Sequence, residues 1–142
     1  MAINAGRVVG GGLVTGVLLN VCDFVVNGVI MKDDMNAMFT KVGMDPAKMM
    51  ESWQNMIPFF LVDFALGLLM VLTYALIRPR VGAGPKAAIV AAFIPFVAVT
   101  ATGYFFIILG LLTSAVFLKG SVLTLVGYSI SNTIGCALYK EA

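Results

Sequence analysis

Two aspartates stand alone inside long apolar stretches of this sequence. Asp23 is the only charged residue within positions 8–31, and Asp63 is the only one within positions 57–77. A carboxylate in such surroundings faces a protein interior or water, because lipid cannot solvate its charge. Two carboxylates that lie close together repel each other, so they can share a proton or a bound cation. The pair therefore indicates a candidate site for an ion or a proton.

Asp23 also belongs to a stripe of small and polar residues with helical spacing. Steps of four, four, three and four positions place the members on one helix face: Gly12, Gly16, Asn20, Asp23 and Asn27. Glycines let a second helix approach closely, and polar side chains form hydrogen bonds across such a contact. The stripe predicts a helix-packing face, to which Gly6 and Gly10 add a further small pair. The alternative is a polar path for an ion or proton.

Small and polar residues share a face in two later segments as well. In the second apolar segment they are Asp63, Gly67 and Tyr74. In the last they are Ser121, Thr124, Tyr128, Ser131 and Gly135. These faces predict a compact bundle with a partly polar interior, in which Gly67 and Gly135 allow close helix packing.

A single lysine, Lys119, lies where it could neutralise the aspartates. It is about 7–8 Å inside the predicted outer end of its span, while Asp23 and Asp63 are about 12 and about 9 Å inside theirs. One interpretation is that its long side chain reaches back to the headgroups or makes another contact at the membrane surface. The other is a buried ion pair with Asp23 or Asp63.

The methionines are concentrated in one segment, since seven of the nine fall within residues 31–56. Thioether sulfurs suit Cu(I), and Met35, Met38 and Met44 could place sulfurs around one ion. Methionine is also an adaptable apolar side chain for surface helices and partner contacts. We prefer this second interpretation and predict neither a metal site nor a cofactor, with Cu(I) as the alternative.

Catalysis finds little support in the sequence. There is no histidine, which removes the commonest acid–base group and metal ligand. No nucleophile motif, nucleotide-binding loop or metal motif occurs. The two cysteines, Cys22 and Cys136, form no C-x-x-C pair, and no basic run suits nucleic acid. A protein that is not an enzyme is therefore expected.

The elements that carry these residues are apolar segments of membrane-spanning length. The sequence is 61% hydrophobic and 11% charged, whereas a soluble domain carries about 25% charged residues. A helix needs about 20 apolar residues to cross the hydrocarbon. We predict an all-α integral membrane protein, with residues 1–142 as one domain and four transmembrane helices in an up-down bundle. The predicted spans are 8–31, 57–77, 87–112 and 115–139.

Local signals set several of the predicted boundaries. Pro58 is expected to begin the second span, and Thr113 or Ser114 to cap the start of the fourth. Residues 32–56 are predicted to form two short amphipathic helices at the outer surface, the second with Asp45 as its N-cap. Trp53 is then expected at the level of the headgroups.

Basic residues predict the orientation of the bundle. The link between the second and third spans carries three basic residues and no acid: Arg78, Arg80 and Lys86. Basic residues are also found before the first span and after the fourth. Since cytoplasmic loops are rich in lysine and arginine, both termini are predicted to be cytoplasmic and residues 32–56 to lie outside.

Two short motifs, together with the length and number of spans, carry a resemblance to other proteins. One is Asn27-Gly28 at the end of the first span. The other is the turn after the second span, Ile77-Arg78-Pro79-Arg80 followed by Gly82, Gly84, Pro85 and Lys86. In these features the chain resembles an uncharacterised family of small bacterial four-span membrane proteins. The resemblance implies a four-helix fold in the bacterial inner (cytoplasmic) membrane and supplies no activity.

Together these features predict a non-enzymatic accessory or structural subunit. Its small-residue faces would pack against copies of itself or against other subunits of a larger membrane complex. The predicted partners are the lipid bilayer and these membrane proteins, with no nucleic acid. The alternative is a small oligomeric transporter or channel that uses Asp23 and Asp63 for a cation or proton.

Overall fold

The computed structural model describes residues 3–140 except for the side chain of Met50, so the first and last two residues of the predicted domain lie outside it. The described chain is helical, as predicted. In chain order its helices are α1 (Ala5–Val25), a π-helix (Val26–Ile30), α2 (Lys32–Lys41), α3 (Pro46–Glu51), α4 (Trp53–Val81), α5 (Pro85–Gly103), α6 (Phe105–Ile108) and α7 (Ser114–Ala137).

Four helical stretches are long and apolar enough to cross a membrane. They are Ala5–Ile30, Trp53–Val81, Pro85–Ile108 and Ser114–Ala137. The helices α1 and α5 each pack against both α4 and α7, so the four spans form a ring in chain order. The prediction of a four-span helical bundle, with short helix α2 between the first two spans, is confirmed.

Two predicted helix starts are confirmed by their capping bonds. Thr113 Oγ1 accepts a hydrogen bond from the N–H of Val116 at 3.3 Å. The Asp45 carboxylate accepts one from the N–H of Ala47 at 3.0 Å, and Pro46 occupies the first helical position of α3. Both caps satisfy N–H groups that have no partner within the helix.

The third span ends earlier than the predicted limit at Leu112. Gly110 has a φ of +71°, a conformation that favours glycine. The N–H of Gly110 bonds to the carbonyl of Ile107, and the N–H of Leu111 bonds to that of Phe106, both at 2.9 Å. This pair of bonds is the Schellman pattern of a helix C-terminus. The chain therefore leaves the helix after Ile108.

The second span is longer than predicted at both ends. Pro58 was expected to begin it, but Pro58 occupies the sixth position of α4, which starts at Trp53. Pro58 has no N–H to donate to the carbonyl of Gln54, and α4 continues through it despite this missing bond. At the other end α4 continues through Pro79 and stops at Gly82, whose φ is +93°.

The first span ends in a π-helix that no sequence pattern predicted. Its wider turn is closed by a hydrogen bond of 2.8 Å from the N–H of Met31 to the carbonyl of Val26. The extra residue in this turn rotates the later residues of the span relative to α1. Val26 is consequently buried and Asn27 is exposed, so Asn27 leaves the face that the stripe of α1 predicted for it.

The glycines of α1 and α4 pack against each other inside the chain. A Cβ atom added to Gly12 would lie 2.8 Å from the Cα of Leu68, and one added to Gly16 would lie 2.9 Å from the Cα of Phe64. A Cβ added to Gly67 would lie 2.5 Å from the carbonyl oxygen of Gly12. These distances leave no room for a side chain, so the two helix backbones are in direct contact.

Gly135 makes the same kind of contact between α7 and α1. A Cβ at this position would lie 2.7 Å from the carbonyl oxygen of Gly11 and would collide with Oγ1 of Thr15. Thr15 is fully buried, and its hydroxyl has no hydrogen-bond partner in the described part of the chain. All four predicted packing glycines are therefore used in contacts within this chain.

Candidate functional site

The two aspartates lie on α1 and α4 near the contact of these helices: Phe64, next to Asp63, packs on Gly16, which is two helical turns before Asp23. Asp63 is 5% exposed, and Asp23 is half-buried. They are close enough for their charges to interact. Among residues 3–140, neither carboxylate has a hydrogen-bond or ion-pair partner. The structure thus brings together the two residues on which the predicted ion or proton site depends.

Tyr128 of α7 completes this carboxylate cluster, which we define as Asp23, Asp63 and Tyr128. Its side chain is 3% exposed, and it lies within electrostatic range of both aspartates. Its hydroxyl has no hydrogen-bond partner in the described structure. The sequence placed Tyr128 on a polar helix face, and the packing of α7 in the ring brings it within electrostatic range of the two acids.

An apolar layer lies next to the cluster, on the side toward Arg78. Leu19, Met70 and Ala92 are fully buried and pack together with Tyr128. Leu19 and Met70 are one and two helical turns from the aspartates of their own helices. Such a layer excludes water and hydrated ions unless its side chains move. The cluster is therefore closed on this side.

Polar side chains resume beyond the apolar layer. Asn132 is fully buried, and its Nδ2 donates to the carbonyl of Ala88 at 2.7 Å. Its Oδ1 accepts a hydrogen bond from Cys136 Sγ at 3.3 Å. A second polar pair, Ser131 Oγ and Cys22 Sγ at 3.6 Å, lies beside the cluster rather than beyond the layer, because Cys22 directly precedes Asp23. These bonds hold α7 against α5 and α1, as is typical of polar groups between transmembrane helices.

Lys119 lies outside the carboxylate cluster. Its Nζ donates to Oδ2 of Asp34 at 3.2 Å and to the carbonyl of Ile30 at 3.4 Å. The Lys119 side chain is 46% exposed. Lys119 therefore makes a contact at the surface, which was the first of the two interpretations. Its partner is Asp34 of α2 rather than an aspartate of a span.

A second lysine attaches α2 to the end of the third span. Lys41 Nζ donates to the carbonyls of Gly110 and Leu111 at 3.1 and 3.3 Å. Backbone carbonyls after a helix end lack partners within the helix, and lysines commonly satisfy them. Helix α2 therefore lies across the ends of the third and fourth spans, fixed by one lysine at each.

The two asparagines of the predicted polar stripe do not bond to the carboxylates. Asn20 is half-buried, and its Nδ2 donates to the carbonyl of Gly16 in its own helix at 2.8 Å. Asn27 is exposed on the π-helix. Of the five polar residues proposed from the sequence, the structure thus groups only Asp23 and Asp63.

The three methionines proposed for Cu(I) lie on or just after α2. Met35 and Met38 are half-buried, and Met44 is 52% exposed in the turn that follows Gly43. Across the described residues, no group of three or more histidine, cysteine, aspartate or glutamate side chains could hold a metal ion. Copper binding by the thioethers stays the alternative interpretation of the sequence.

No protein-family model, curated protein or solved structure matches this chain. The fold and the site nevertheless define a class: it is a small multi-pass helical membrane protein with four apolar spans in contact with lipid. The resemblance drawn from the sequence holds at this level. The bacterial family that it suggested stays a prediction.

Proposed function

We propose that this protein binds a proton or small cation at Asp23 and Asp63 and carries it across the membrane. The observation that supports the proposal most is the approach of two carboxylates that have no hydrogen-bond or ion-pair partner within residues 3–140. Burial of an uncompensated carboxylate is costly. Ionisable residues inside membranes are accordingly found on ion pathways and proton relays, where the carried species neutralises them.

The proposed setting is a bacterial cytoplasmic membrane with both termini inside. Arg78, Arg80 and Lys86 would then lie in the cytoplasm, as the distribution of basic residues in membrane proteins favours. Helix α2 would face outside, and the carboxylate cluster would lie in the outer half of the bundle. The apolar layer would separate the cluster from the cytoplasm, so release there requires the layer to rearrange, as in alternating access.

Packing within the bundle favours transport over the accessory role. Helices of the same chain already pack against the glycines that were expected to contact a partner, which are Gly12, Gly16, Gly67 and Gly135. A partner would need another face. Packing alone does not explain the carboxylate cluster. Apolar side chains would fill the same space at a lower cost in folding free energy.

An accessory subunit is the second candidate, because one small-residue face is open. A Cβ atom at Gly10 would have no neighbour within 4 Å. Gly6, Gly10 and Leu138 line a groove of about 410 Å³ at the start of α1, and such faces are typical helix contacts in membranes.

Native mass spectrometry of the gently extracted protein separates the candidates. Other polypeptides in fixed ratio support the subunit, and a single chain or closed homo-oligomer supports transport.

Asp63→Asn is expected to abolish ion flux through the purified protein in liposomes. The amide has nearly the same shape but can neither carry a negative charge nor exchange a proton at the pH of the assay. Flux should fall to that of protein-free vesicles, while circular dichroism and gel filtration show an unchanged fold. The control is Asp33→Asn, which removes an exposed acid from α2 and should leave flux unchanged. Equal flux through both variants would contradict the proposal.

A further inference from the structure

Within the transport function proposed above, on which this inference rests, we infer that the species exchanged at Asp63 and Asp23 is a proton rather than a metal cation. Three features of the structure support it: the number of oxygen ligands in the cluster, the state of the backbone beside the acids, and the apolar layer.

The cluster offers few oxygen ligands. Asp63 of α4 is approached by Asp23 from α1 and by Tyr128 from α7, while α5 has no titratable residue between Lys86 and Tyr104. The titratable groups of the set are two carboxyl groups and one hydroxyl, and half-buried Asn20 adds one amide oxygen on the Asp23 face of α1. A Ca²⁺ ion takes about 6–8 oxygen ligands, and Mg²⁺ demands a near-ideal octahedron. A proton needs one oxygen, which either carboxylate supplies.

Backbone carbonyls do not make up the deficit, because both helices are intact at the acids. Helix α4 is unbroken around Asp63, and the carbonyl of Asp23 already accepts a hydrogen bond from the N–H of Val26. Sodium sites of transporters typically use carbonyls freed where a helix unwinds. The π-helix begins after Asp23, and the carbonyl at its end, that of Ile30, accepts from Lys119.

The apolar layer also favours a proton. A hydrated metal ion would have to displace Leu19, Met70 and Ala92, all of which are fully buried. Tyr128 belongs to the same layer, and its hydroxyl lies within electrostatic range of both carboxylates. A phenol hydroxyl both donates and accepts hydrogen bonds. It can therefore receive a proton on one side and release its own on the other.

The test compares ions in liposomes that contain the full-length wild-type protein. A pH-sensitive dye inside the vesicles reports proton entry under an imposed pH difference, with choline as the only external cation and the membrane potential clamped. Parallel vesicles receive radioactive sodium, rubidium or calcium. The expected result is a dye response in choline and no tracer uptake above that of protein-free vesicles. The dye response should be lost in Asp63→Asn and retained in Asp33→Asn.

The other outcomes separate this inference from the proposed function. Tracer uptake that requires Asp63, with or without a dye response, overturns the inference that the exchanged species is a proton. It leaves the proposed cation transport intact. A dye response that persists in Asp63→Asn overturns the role of the cluster in proton exchange. Neither dye response nor tracer uptake overturns both proposals. The comparison among ions uses the wild-type protein, so it remains decisive even where a variant fails to fold.

Discussion

Replacing Gly67 with alanine is expected to lower the free energy of unfolding by about 2–3 kcal/mol, the upper part of the usual range for overpacking. The new Cβ would lie 2.5 Å from the carbonyl oxygen of Gly12 and 2.6 Å from the backbone nitrogen of Gly16. Both neighbours are backbone atoms, so no side chain can rotate away to relieve the contact. The strain can be released only if α1 and α4 move apart.

Because α1 and α4 share the most extensive contact in the bundle, this movement should extend beyond the site of mutation. Asp63 lies one helical turn from Gly67, so separation of the helices also widens the distance between the two carboxylates. Gly67→Ala is therefore expected to reduce flux as well as stability. Unfolding followed by circular dichroism during titration with a denaturing detergent measures the first effect, and the liposome assay measures the second.

Gly10→Ala is the matched control for this experiment. It makes the same chemical change in α1, but a Cβ at Gly10 would meet no atom within 4 Å. Alanine is favoured over glycine in a helix interior by up to about 1 kcal/mol, so this variant should be as stable as the wild type or slightly more so. Equal destabilisation by the two substitutions would show that Gly67 is not in tight helix contact.

The number of spans and two helix starts were predictable because they depend on local chemistry. A run of about 20 apolar residues is a property of the segment alone. The hydroxyl of Thr113 and the carboxylate of Asp45 cap helices whose first turns come directly after them in sequence. In such cases the interacting groups lie within three residues of each other, so the rest of the fold has little influence on the outcome.

The π-helix of the first span and the end of the third span were not predicted, for two different reasons. Gly110 could have signalled a helix end, but the leucines on both sides of it extend the apolar pattern. The π-helix has no comparable sequence signal. It brings Met31 into the bundle, where this side chain is buried with its Sδ 3.5 Å from a Cβ placed at Gly120. That contact joins residues 89 positions apart, so it depends on the tertiary fold.

The candidate site was predictable in part. The rise of a helix placed Asp23 and Asp63 at similar depths, but whether they face each other depends on how the glycines of α1 fit α4. The partner of Lys119 was not predictable, because Asp34 is 85 positions away and approaches only when α2 folds back over α7. Tyr128 is a similar case, since its distance from the acids depends on how α7 packs in the ring.

Asp63→Asn is expected to make the protein more stable at alkaline pH, by about 1–3 kcal/mol, the usual cost of a buried polar group without a partner. With both acids ionised, the wild-type protein holds two like charges close together, and repulsion adds to the cost of burial. The amide removes one charge and keeps the shape. In acidic conditions, where the carboxyl groups carry protons, the gain should shrink because a neutral carboxyl and an amide are similar.

Thermal unfolding of the wild type, Asp63→Asn and Asp33→Asn at acidic and alkaline pH tests this expectation. Only Asp63→Asn should unfold at a higher temperature than the wild type, and its advantage should grow with pH, since Asp33 is exposed and contributes little. A variant that is more stable yet carries no ion would show that the carboxylate is retained for function at the expense of stability. If Asp63→Asn were instead less stable at alkaline pH, the charge of Asp63 would have a stabilising partner in the bundle, and the carboxylate pair would be a structural element rather than a transport site.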